Sequence, residues 1–91
     1  MQIANFFRDT GIKLDTPIER KKGIIRENQG KIALIKDLHY PDDKFFLARI
    51  KPDPLDERYY IAISYSDEKE KNKKSIILNY HDLEQLIVEN H

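Results

Sequence analysis

Residues 72–91 read "NKKSIILNYHDLEQLIVENH", and the architecture of the whole chain turns on them. Asn79 suits a helix N-cap, because its side-chain oxygen can accept a hydrogen bond from a backbone N–H of the first turn. Asp82 follows three residues later, where a carboxylate serves the positive end of the helix dipole. Tyr80, Leu83, Leu86 and Ile87 then recur at helical spacing, with Asp82, Glu84 and Glu89 mostly on the other side. The spacing predicts an amphipathic helix over residues 80–90. Just before it, "SIIL" reads as a short strand, introduced by Lys73 and Lys74.

Upstream of this end the period is that of strands. "RYYIAISYS" places Tyr59, Ile61, Ile63 and Tyr65 on one face and Tyr60, Ala62 and Ser64 on the other. "FFLARI" is dense in aromatic and branched residues, and "KPDPLDE" after it interrupts a ladder because Pro52 and Pro54 lack a donor. "KIALIKDL" is a strand ended by the turn "YPDDK", and "GIIREN" is expected to pair with it through "NQG" as a hairpin. In the first residues, "IANFFRDTG" suits two turns of helix stopped by Gly11. Thr16, Pro17 and Glu19 have the pattern of a capping box for a short helix ending at Gly23. The expected fold is therefore a single α+β domain over residues 1–91: a short helical N-terminal segment (1–22), a twisted antiparallel sheet of four to five strands (23–79), and a C-terminal helix (80–90).

Composition narrows the function. The 91 residues carry 16 Lys and Arg against 16 Asp and Glu, so bulk charge does not direct the chain to nucleic acid or anionic lipid. Cysteine is absent, which removes disulfides and thiolate metal sites. No stretch approaches the ~20 apolar residues of a membrane span, and the apolar run in "MQIANFFRDTG" is too short for a signal peptide. A soluble, intracellular (cytoplasmic) protein without membrane association is expected. The three histidines, His39, His81 and His91, share no element at metal-ligand spacing. "PDD", "PDP" and the Asp67–Lys69 "DEK" fall in turns or a charged loop, where Pro and Asp serve backbone geometry rather than a rigid magnesium site. No catalytic residue, metal or cofactor is expected, and the chain reads as a non-enzyme.

Charge is nonetheless polarised. Residues 69–74 hold four lysines against one glutamate, whereas residues 37–57 hold six acidic against three basic residues. Phe45, Phe46, Tyr59, Tyr60 and Tyr65 crowd two neighbouring strands, and one helix can cover only one sheet face. Bases stack on exposed rings, and lysines beside them neutralise phosphate. Arg58, Lys69, Lys71, Lys73 and Lys74 are the candidate phosphate contacts, with Tyr60 and Phe46 the candidate stacking residues. An exposed apolar sheet face serves a homodimer or another protein equally well.

From about residue 31 to 89, and most closely from Arg58 to Ile87, the order of strands and final helix resembles the transcriptional positive-coactivator domain that binds single-stranded DNA. Lys73, Lys74, Ile76, Leu78, Asn79, Leu83 and Leu86 fit its pattern of basic pair, strand, polar cap and amphipathic helix. Ser75 stands where the family has glycine, Ser64 where it has arginine and Asp67 where it has an aromatic residue. The resemblance implies a homodimer whose curved sheets present a groove for a single strand. Two functions follow as expectations: a small domain that contacts single-stranded DNA or RNA through a basic and aromatic sheet surface, or a protein–protein interaction module, an accessory or inhibitory subunit, that uses the same face.

Overall fold

The C-terminal stretch is a strand. In the computed structural model, which describes residues 7–39, 44–64 and 74–90, Leu83–Glu89 forms β6, inserted into the middle of a sheet. The elements are β1 (Phe7–Asp9), α1 (Ile18–Glu27), β2 (Ile32–Asp37), β3 (Phe46–Pro52), β4 (Tyr59–Ser64), β5 (Ser75–Asn79) and β6. All neighbours are antiparallel, in the order β1-β6-β2-β3-β4-β5. The α+β class stands; the sheet has six strands rather than four to five, and the C-terminal helix is replaced by β6.

A bulge explains the misleading spacing. Along β2 and β6, Lys36 faces Gln85 but the next residue, Asp37, faces Leu83, so Glu84 is one residue too many. Such an insertion breaks the two-residue period of the strand. Leu83 and Leu86, three apart, therefore both face the core, and Val88 resumes the alternation. Three apolar side chains at 83, 86 and 88 mimic a helical stripe through backbone irregularity. The cap at Asn79 does form, its side chain accepting from the His81 N–H at 2.8 Å. What it caps is one 3-10 turn, Tyr80–Asp82.

The N-terminal third also departs from expectation. Phe7–Asp9 is an edge strand, not a helix, and the first part of that expected helix lies outside the described residues. α1 runs straight through Gly23, absorbing the isoleucines expected in a first strand. Thr16 forms no capping box; its hydroxyl accepts instead from the Lys13 N–H at 2.8 Å. Ile18, Lys21 and Ile25 share one helical face, and Ile24 lies beside them, so burial against the sheet outweighs the β preference of branched residues. The helix closes at Asn28, and Gly30, at φ +88°, supplies the left-handed residue that turns the chain into β2.

The connection between β5 and β6 forces the sheet to curl. Only Tyr80–Asp82 link them, yet β4, β3 and β2 lie between them in the sheet. Flat, those four spacings would cover about 19 Å, beyond a 3-10 turn that rises about 2 Å per residue. The sheet is therefore wrapped towards a barrel whose inner face is the core. Ala33, Ala48 and Ala62 keep that interior narrow, and Ile35, Ile50, Tyr60 and Leu86 fill it. α1 packs against β3 and the 3-10 turn, with Ile12 buried nearby, and so closes the inner side. Among the described residues, no helix is long and apolar enough to cross a membrane.

Candidate interaction surface

Register decides what each candidate residue faces. Tyr60 pairs with Leu78 and with Pro52 across the sheet, on the inner face, and is fully buried. Phe46 pairs with Ile35 and packs against the core cluster from the same side. Neither ring is presented to a base, which corrects the expectation that they form an open stacking platform. The strand's inner set is Tyr60, Ala62 and Ser64, because the alanine fits the narrow interior. The outer set is Tyr59, Ile61 and Ile63.

The cations are dispersed. Arg58 and Lys74 lie at opposite ends of the β4–β5 ladder: the Tyr80 N–H donates to the Arg58 carbonyl, and the Ser64 N–H to the Lys74 carbonyl. Six residues of strand at about 3.3 Å each separate them by roughly 20 Å. Arg58 is also committed locally. Its Nε donates to Asp56 Oδ1 at 3.0 Å and its Nη2 to Oδ2 at 2.7 Å, while the guanidinium sits 5.4 Å from the centre of the Tyr59 ring. Those hydrogen bonds hold the Asp56 carboxyl down to about 2. Lys74 is exposed; Lys69, Lys71 and Lys73 lie outside the described residues.

A polar group that sequence inspection passed over sits inside the fold. Lys21 is fully buried, and its Nζ donates to the carbonyls of Leu14 (3.0 Å), Tyr80 (3.0 Å) and Leu83 (2.9 Å). The only sequence signal was its place on the apolar stripe of α1, one turn before Ile25. At the same end of the sheet Asp37 is buried, one oxygen accepting from the His39 N–H at 2.9 Å. Its Oδ2 and the Tyr60 hydroxyl are close enough to polarise one another, yet neither makes a hydrogen bond of good geometry. His39 Nε2 reaches Asp82 Oδ2 at 2.9 Å, on the exposed rim. This is a structural lock around the 3-10 turn.

Burial raises the Asp37 carboxyl above its ordinary value, and nearby Asp82 adds to that. With the folded value above the unfolded one, the native state binds the proton more tightly, so stability falls as pH rises through and above the usual carboxylate range. Asp37→Asn keeps the acceptor for His39 and removes the buried charge. It is expected to be more stable than the parent at pH 7, by on the order of 1 kcal/mol, with the gain vanishing towards pH 3. Urea titrations at both pH values would check this; equal differences at both would refute it.

The outer face presents a different chemistry. Ile87, Leu34 and Leu47 stand side by side across β6, β2 and β3. Ile32 lies beside Arg49 one step along. In the other direction is Lys36, its ammonium 3.6 Å from Glu84 and 6.0 Å from the centre of the Phe45 ring. On β4 and β5 the same face continues as Ile61 beside Ile77, the latter 60% exposed. α1, the only α-helix among the described residues, is on the inner side. A groove of about 300 Å³ near Arg8, Glu27, Lys31 and Glu89 mixes both charges and gathers no catalytic set. Among the described residues no group of three or more His, Asp or Glu side chains is placed to hold a metal ion. No family model, curated protein or solved structure matches this chain.

Proposed function

We propose that the chain is a protein-contact module, an accessory or inhibitory subunit, whose recognition surface is the outer face of β6, β2 and β3. The observation that carries this reading is the contiguous row Ile87–Leu34–Leu47 on the side of the sheet away from α1. Apolar side chains adjoining across three strands are what protein interfaces place at their centre, with polar groups at the rim. Arg49 and Lys36 supply such a rim. The single-strand nucleic-acid reading draws less support, because Tyr60 and Phe46 face inward and Arg58 and Lys74 do not converge on one phosphate.

A neutral environment-sensitive dye separates the two readings. Nile red is expected to brighten on the dilute protein and to lose most of that signal in Leu34→Lys, whose circular dichroism should match the parent. A labelled single-stranded oligonucleotide should show no polarisation change at about 50 mM salt, the condition that favours phosphate contacts. Oligonucleotide binding that collapses at higher salt, or a dye signal indifferent to Leu34→Lys, would overturn the proposal.

A further inference from the structure

We infer that β5 is the seam of a homodimer, formed when the strand pairs antiparallel with β5 of a second copy about a two-fold axis through Ile77. This goes beyond the outer-face reading and stands on a different observation, the backbone of an edge strand.

Hydrogen-bond parity defines that edge. The Ser64 N–H donates to the Lys74 carbonyl at one end of the β4–β5 ladder, and the Tyr80 N–H to the Arg58 carbonyl at the other. In an antiparallel ladder the residues that bond the neighbouring strand alternate with those that turn their N–H and C=O away. Lys74, Ile76, Leu78 and Tyr80 thus address β4, and Ser75, Ile77 and Asn79 direct their backbone groups outward. β5 is the last strand of the sheet, and no described residue pairs with that side.

The two edges of the sheet are treated differently. β1 is three residues long and carries Arg8 and Asp9, the short charged edge that discourages further pairing. β5 is five residues, "SIILN", with no charge, no proline and Ile77 exposed at its centre. It lacks the devices by which edges are blunted.

The occupant that fits is the same strand reversed. About a two-fold at Ile77, Ser75 meets Asn79 of the second copy, Ile77 meets Ile77, and Asn79 meets Ser75. All three are outward-facing positions: the central pair closes two hydrogen bonds, and each flanking pair adds the one donated by the Asn79 N–H, whose carbonyl already serves the 3-10 turn. Polar lies against polar and isoleucine against isoleucine. Lys74 comes opposite Tyr80 of the other copy, beside the turn that carries Asp82. Pairing also sets the Ile61–Ile77 row against its own image, a row of four isoleucines across the seam bounded at each end by Lys51. Closure leaves only the two blunted β1 edges, so association stops at two.

Sedimentation equilibrium over protein concentrations from about 5 µM to 1 mM tests this, spanning the affinities expected of a small interface. A reversible dimer is expected. Ile77→Pro deletes only an outward N–H and Ile77→Lys places a charge at the seam; each should raise the dissociation constant at least tenfold with circular dichroism unchanged. Exchange of the Ile77 amide should slow as concentration rises. If Ile77→Pro fails to fold, Ile77→Lys decides. A monomer at every concentration overturns the inference and leaves the outer-face proposal intact if Nile red still binds. A dimer indifferent to Ile77→Lys but broken by Leu34→Lys overturns it in favour of the face. Assemblies larger than two overturn it as well.

Discussion

Lys21→Met is expected to lower the stability of the domain by about 3–5 kcal/mol, through the loss of three hydrogen bonds from a buried ammonium, two of them to buried carbonyls. The methionine side chain retains most of the apolar stem, so lost packing contributes little. What goes is the ammonium that joins Leu14 before α1 to Tyr80 and Leu83 on either side of the 3-10 turn. Desolvation lowers the Lys21 pKa, while the carboxylates of Asp82, Asp15 and Asp37 oppose that shift. A domain of this size has only about 5–14 kcal/mol in total, so the variant should unfold at a much lower urea concentration. It should also lose amide protection in the turn first. A loss below about 1 kcal/mol would mean that water reaches those carbonyls and the lock is not structural.

Tyr60→Ala is expected to cost a further 3–5 kcal/mol as an independent variant, the usual range for removing a large ring from a core. Its ring lies 5.2 Å from that of Tyr80 at an interplanar angle of 41°, inside the curl of the sheet. Tyr60→Phe should behave very differently and change stability by less than about 1 kcal/mol, because the hydroxyl it deletes has no hydrogen bond of good geometry. Paired urea denaturation curves give both numbers. A ring acting as an exposed platform for bases would show the reverse pattern, with Tyr60→Ala stable and defective only in binding. That outcome would return the aromatic residues to the functional surface.

Four strands were legible in the residues. β2, β3, β4 and β5 all sit within one or two positions of where branched and aromatic runs between Pro, Asp and Gly turns put them. The errors share a cause. "IIRE" has a strand's composition, yet it is helical because Lys21 and Ile25 on the same face find burial under the sheet. β4 carries apolar residues on both faces, so alternation announces a strand without saying which face is inner. Only the register with β3, which sets the small Ala62 opposite Ile50, assigns Tyr60 to the interior. The candidate cations were named from sequence proximity, whereas the ladder sends Arg58 and Lys74 to opposite ends.

Local chemistry, then, determined the α+β class, the antiparallel meander and the polar cap at Asn79, since each depends on a few adjacent residues. Tertiary structure alone decided the fate of residues 83–89. Their pattern fits a helix, but a helix could not fill the place beside β2, whose backbone groups need a partner along that edge. A single extra residue, Glu84, reconciles the helical spacing with the ladder. The same insertion of β6 covers one side of the sheet's interior and leaves β5 as an unblunted edge, a property no segment possesses until all six strands are in place.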